Sequence, residues 1–85
     1  MRLFFSPKFL RMVGAIPKDL QEDVYEKVEA FRDRANHQTL KVHKLQGKLK
    51  GLSSFSVNYQ TRIIFEFVDD GAVLHAVGDH DVYNE

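Results

Sequence analysis

The sequence predicts an α+β fold of order β-α-α-β-β-β, an antiparallel sheet with two N-terminal helices packed on one face. Three observations carry this. Leu20, Val24, Val28 and Phe31 recur at four- and three-residue intervals, the period of one helix face. Ile63, Phe65 and Phe67 instead alternate with Arg62, Ile64 and Glu66, the period of a strand with two unlike faces. Asp69-Asp70-Gly71, set between two β-rich runs, is a hairpin signal that returns residues 72–78 antiparallel to 61–68.

Taken in order, Arg2-Leu3-Phe4-Phe5 forms a short strand closed by Ser6-Pro7, a helix cap followed by a helix-initiating proline. Lys8 to Val13 make a short helix with Phe9, Leu10 and Val13 on its buried side, and Gly14-Ala15-Ile16-Pro17 breaks it. The second helix starts with Pro17 and runs to about Ala35, with Tyr25 beside its apolar stripe. Asp19, Glu22 and Asp23 suit its positive end; Arg32, Arg34 and Asn36-His37 suit its negative end, which gives His37 a structural role. Lys41 to Leu45 alternate weakly and read as either a strand or an extended link. Gln46-Gly-Lys-Leu-Lys-Gly-Leu52 is a basic loop punctuated by glycine. Phe55, Val57 and Tyr59 alternate with Ser54, Ser56 and Asn58 to give the strand that precedes residues 61–68.

The chain's 85 residues, 44% of them hydrophobic, fit one domain over residues 1–85 with one modest core. The absence of cysteine excludes a disulfide scaffold and a thiolate metal site, and suits a reducing cytoplasm. Residues 1–8 hold no apolar run of signal-peptide or membrane-span length, so a cytoplasmic chain with no membrane partner is expected. Net charge is zero but segmented. Residues 1–18 carry four bases and no acid, 19–33 six acids and two bases, 34–62 six bases and no acid, and 63–85 six acids and no base. Such blocks either pair across the fold or leave a positive patch whose commonest partner is a phosphate backbone.

The last strand runs into Gly78, Asp79, His80, Asp81 and Tyr83, polar chemistry where a rigid strand must stop. Lys41, Lys44, Lys48, Lys50 and Arg62 lie just upstream with the charge a phosphate would need. A metal site from His75, Asp79, His80 and Asp81 is disfavoured, because alternate residues on one strand end point apart. No serine sits in a nucleophile elbow, and no glycine-rich phosphate loop precedes a helix.

Leu45-Gln-Gly-Lys-Leu-Lys-Gly-Leu52, Ser56-Val-Asn-Tyr59, Arg62-Ile-Ile-Phe65 and Gly78-Asp-His-Asp-Val-Tyr83, in that order and spacing, resemble the RelE/ParE toxin superfamily of bacterial toxin–antitoxin modules. Within it the chain is most similar to the RelE-type and YafQ/HigB-like messenger-RNA interferases. The resemblance spans nearly the whole chain. It implies a ribosome-dependent endoribonuclease that inhibits translation, needs no metal or other cofactor, and is held inactive by a cognate antitoxin. Ribosome and messenger RNA would be its other partners, and operator DNA would be met only through the antitoxin. The same architecture serves ParE-like members that act on DNA gyrase and cut nothing, and an attenuated toxin would keep only antitoxin binding.

Metal-free RNA cleavage needs a base for the 2′-hydroxyl, cations for the phosphorane and an acid for the 5′-oxygen. An unperturbed histidine titrates near pH ~6.5. His80 matches the family's C-terminal histidine, and the resemblance makes it the general acid. Arg62 matches the strand arginine on the scissile phosphate, though an arginine there also suits an ion pair with Glu66 or Asp79. Lys48 and Lys50 fall where the family places charge-stabilising lysines, and Tyr83 where a tyrosine orients the nucleotide. The base is left among His43, Asp81 and a lysine. Lys41, His43, Lys44, Lys48 and Lys50 are the expected RNA-binding set.

Overall fold

The structure, a computed structural model, describes residues 1–79. Its elements are β1 (Arg2–Phe5), α1 (Pro7–Gly14), α2 (Lys18–Phe31), β2 (His43–Lys44), β3 (Ser53–Ser56), β4 (Arg62–Val68) and β5 (Gly71–Gly78), with short 3-10 turns at Arg34–Asn36 and Gly47–Leu49. The strands form one sheet in the order β1-β5-β4-β3-β2. The β2/β3, β3/β4 and β4/β5 pairs are antiparallel, as the alternation and the acidic hairpin predict. One pairing corrects the expectation: β1 lies parallel to β5, so the sheet is mixed. No tight turn joins these two strands, the first and last among the described residues, and β1 fills the edge of β5 that β4 leaves open. The register sets Arg2 beside Gly71 and Phe5 beside Leu74.

That pairing explains Gly71. A Cβ there would lie 1.7 Å from the Arg2 carbonyl oxygen, a backbone atom that cannot rotate aside. The glycine admits the neighbouring strand as well as ending the hairpin.

Local chemistry sets the helix ends. Ser6 is extended, and its hydroxyl accepts the Phe9 N–H at 3.0 Å, with Pro7 as first helical residue. Pro17 proves to be the residue before α2 rather than its first member. The helix also stops at Phe31, short of Ala35. Arg32 and Asp33 tighten onto the carbonyls of Glu29 and Ala30, Asp33 then turns extended, and its carboxylate caps the Ala35 N–H at 2.9 Å.

The core lies between the helices and one sheet face. Phe31 is its centre, stacked on Phe55 at 4.4 Å and edge-on to Phe65 at 4.7 Å between ring centroids. His37 stacks on Phe31 at 4.7 Å, and its Nε2 donates to the Phe31 carbonyl at 2.9 Å, the structural role its position suggested. Phe9, Val13, Val24, Val28, Ile63 and Leu74 complete the layer. Leu10 departs from the predicted buried side of α1 and is 58% exposed. Tyr59 is 90% exposed, because β3 begins earlier than expected and ends at Ser56.

Candidate functional site

The opposite sheet face carries its own small apolar cluster. Ile64 and Ala76, cross-strand neighbours on β4 and β5, are covered by Leu45, Leu49 and Leu52, with Met12 alongside. Leu49 and Leu52 come from the basic loop and Leu45 immediately precedes it, which explains the pattern of this stretch. The leucines anchor it, and Gly47 (φ 67°) and Gly51 (φ 97°) take left-handed backbone that a side chain would strain. Hydrogen bonds from Leu45 N–H to the Leu52 carbonyl (2.9 Å) and from Lys50 N–H to the Gly47 carbonyl (3.1 Å) close it. Lys48 and Lys50 are thereby carried on a fixed scaffold.

Arg62 opens β4 on the same face, paired with Ser56 on one side and Gly78 on the other. Its Nη1 donates to the carbonyls of Asn58 (2.7 Å) and Thr61 (3.1 Å). The Asn58 carboxamide oxygen fixes that turn by accepting the N–H groups of Gln60 (2.9 Å) and Thr61 (2.8 Å). These two bonds tie down one arm of the guanidinium fork. The ion pair with Glu66 that the sequence allowed is not formed: the two lie four positions apart, about 13 Å along β4. The chain leaves β5 at Gly78, directly across from Arg62. His80, Asp81 and Tyr83 lie outside the described residues.

The expected RNA-binding residues are only partly gathered. Lys44 and Lys50 line one groove of about 420 Å³ with Gln46 and Phe67; Lys41, His43 and Lys48 do not border it. His43 sits on the edge strand β2, where its Nδ1 donates to the Lys41 carbonyl at 2.8 Å. Among the described residues, no cation of the 34–62 block forms an ion pair. Arg34 packs over the Phe67 ring at 5.8 Å instead. The patch reading of the charge segments is therefore favoured over cross-fold pairing.

The sequence reading missed one constellation. Between the pairs Ile64/Ala76 and Phe65/Leu74 the register slips by one residue, and His75 is the extra member. The resulting bulge turns His75 and Ala76 onto the same face, where strict alternation would have set one of them against the helices. His75 Nε2 lies 3.4 Å from the Glu66 carboxylate, long for a hydrogen bond, with both side chains part-exposed. The pair borders a cavity of about 550 Å³ shared with Leu49, Leu52, Ile64 and Lys8. Neighbouring hydrophobic residues hide such a slip from a reading by periodicity; only the adjacency of Leu74, His75, Ala76 and Val77 hints that one of them must be misaligned.

Among the described residues, no three His, Asp or Glu side chains are gathered as a metal ion would require, and no helix is long and apolar enough to cross a membrane. The fold is that of YafQ from Escherichia coli strain BL21(DE3), with a TM-score of 0.81 at 16% identity over 99% of this chain and 98% of that one. It is shared by the toxin fold in the YoeB–YefM complex of Staphylococcus aureus (TM-score 0.72, 18% identity, 94% and 97% covered). The YoeB/ParE toxin of Agrobacterium tumefaciens is similar again (0.73, 12%, 94% and 99%). A search among curated protein sequences gave no match. The profile of the HigB-like toxins, described as the RelE-like toxin of the type II toxin–antitoxin system HigB, matches residues 11–80. The chain belongs to this family of RelE-like type II toxins.

Proposed function

We propose that this toxin is a messenger-RNA endoribonuclease that cuts translated transcripts on the ribosome. The observation that carries the reading is the placement of Arg62 across from Gly78, a tethered guanidinium at the point from which Asp79-His80 continues the chain. Two further features support it: the loop that fixes Lys48 and Lys50 beside the same face, and the absence of ion pairs in that block among the described residues.

The chemistry uses the RNA's own nucleophile. A base takes the 2′-hydroxyl proton, the 2′-oxygen attacks the adjacent phosphorus, and the bond to the 5′-oxygen breaks as His80 protonates it. A 2′,3′-cyclic phosphate and a 5′-hydroxyl result. Arg62, with Lys48 and Lys50, offsets the charge that grows on the phosphorane. Tyr83 orients the nucleotide, and the base is drawn from His43, Asp81 and the loop lysines.

The partner that restrains this activity is the cognate antitoxin, through which alone operator DNA is contacted. A separate groove on the helix side supports a docking surface for it. Phe5, Leu10 and Tyr25 remain exposed there above buried Phe9, Val13 and Val28, apolar anchor sites of the sort a helical or extended segment fills.

Primer extension on a reporter transcript tests the nuclease. Inducing the wild type is expected to produce cuts inside translated codons, and Arg62→Ala and His80→Ala to abolish them without loss of fold. Growth arrest with intact transcripts would replace this reading with a gyrase-type toxin.

A further inference from the structure

The cavity beside the Glu66–His75 pair has no part in the mechanism above, yet it opens on the same face. Its apolar walls include Leu49, Leu52 and Ile64, and its polar lining includes Glu66, His75, Lys8 and Ser6. At about 550 Å³ it falls in the range of small-molecule sites and has room for one nucleobase. The sign of the charge decides what it takes. A carboxylate repels phosphate, so an acid beside the basic loop meets RNA productively only through a base edge.

We infer that this cavity is a pocket for a guanine base of single-stranded RNA. An ionised carboxylate accepts hydrogen bonds and donates none. Guanine alone among the four bases presents two adjacent donors on its Watson–Crick edge, N1–H and the N2 amino group, which match the two oxygens of Glu66. Adenine and cytosine set one donor beside an acceptor, and uracil sets its single donor between two acceptors. His75 is a positioning residue: its Nε2, brought by the bulge to 3.4 Å from Oε1, borders the carboxylate and limits where it can swing. The leucines of the loop supply the apolar surface against which the base lies. The inference rests on the RNA-cutting reading for its ligand class, and Glu66 stands about 13 Å from Arg62 along β4, apart from the reacting phosphate.

The test separates the two readings by using RNA that cannot be cut. Oligonucleotides fully 2′-O-methylated lack the nucleophile, and a set carries guanosine, inosine or adenosine at one position in an otherwise uniform pyrimidine strand. They are titrated into the purified chain, with binding followed by the amide resonances of Glu66, His75 and Leu49. Guanosine is expected to bind about tenfold more tightly than inosine, which lacks only the N2 amino group, the discrimination of one good bidentate base contact. In Glu66→Gln, whose amide replaces one acceptor with a donor, the ratio should fall close to one with the rest of the spectrum unchanged. His75→Ala should lower the ratio without abolishing it. Equal binding of guanosine and inosine, or a ratio that survives Glu66→Gln, overturns the pocket whatever the primer-extension result. A guanosine ratio that holds while transcripts stay intact keeps the pocket and removes the nuclease.

Discussion

Gly71→Ala tests the least expected feature of the sheet, the parallel seating of β1. The new Cβ would stand 1.7 Å from the Arg2 carbonyl oxygen, half the 3.4 Å at which ordinary contact begins, and would also crowd the Arg2 carbonyl carbon and nitrogen. Since all three are backbone atoms, β1 must retreat as a unit. The hydrogen bonds from Arg2 N–H to the Asp70 carbonyl and from Ser6 N–H to the Leu74 carbonyl, each 3.1 Å, are the first to go. At about 1 kcal/mol each, with about 1–2 kcal/mol more for the displaced packing, the loss is about 3–4 kcal/mol. The Arg2–Asp70 ion pair adds little, because both side chains are mostly exposed. For a domain of this size the loss lowers Tm by roughly 10–30 °C. Urea unfolding followed by circular dichroism at equal m-value reads it directly. Gly14→Ala serves as the control of opposite sign: nothing lies within 4 Å of its new Cβ at the end of α1, and a gain of about 0.5–1 kcal/mol is expected from the helix. A Gly71→Ala protein within about 0.5 kcal/mol of wild type, below the usual cost of overpacking, would mean that β1 does not lie against Gly71.

Two other outcomes follow from the surface. Lys50→Ala and Lys48→Ala should each reduce the slope of log K against log salt for single-stranded RNA by about 0.7 if the lysine contacts a phosphate; binding isotherms at several salt concentrations give the slopes, and parallel lines would remove that lysine from the interface. Leu10→Asp, at a position already mostly exposed, should leave folding intact but weaken antitoxin binding tenfold or more, since burying a leucine is worth about 1.5–3 kcal/mol. Calorimetry on the purified pair measures it, and unchanged affinity would move the antitoxin off the helix groove.

The elements were legible wherever one local rule spoke alone. The Ser6-Pro7 cap, the α2 stripe through Val24, Val28 and Phe31, and the Asp69-Asp70 hairpin each follow from short-range chemistry, and each appears as read. What the sequence hid was long-range. The parallel β1/β5 pairing depends on which edge is left open after four other strands have met, and Gly71 could be read only as a turn residue until β1 lay beside it. The β3 boundary moved because Ser53 and Ser54, though polar, are buried between β2 and β4, while Tyr59 is held out on the Asn58 turn. At the site, Arg62 and the loop lysines were visible as charges in a motif. The His75–Glu66 pair was not, because a one-residue slip reverses a face without altering composition.

The charge pattern shows why a net value is a poor guide here. Salt screens exposed charges beyond about 8 Å at physiological ionic strength, so a surface responds to the charges within a few residues of it, not to the total. Two acids of α2 are met within their own helix or just past it, Glu29 by Arg32 at 2.8 Å and Glu26 by Lys27 at 3.6 Å. They do not reach the loop. Asp70 is met by Arg2 at the far edge of the sheet. Glu26, Glu29 and Asp70 are therefore neutralised locally, and none of the ion pairs among the described residues draws on a cation of the 34–62 block. Within that field Glu66 is the exception, an acid retained on the basic face and steadied by a histidine that only the bulge makes available. A carboxylate in that position weakens attraction to every RNA alike, so its presence is favourable only if it returns discrimination among bases.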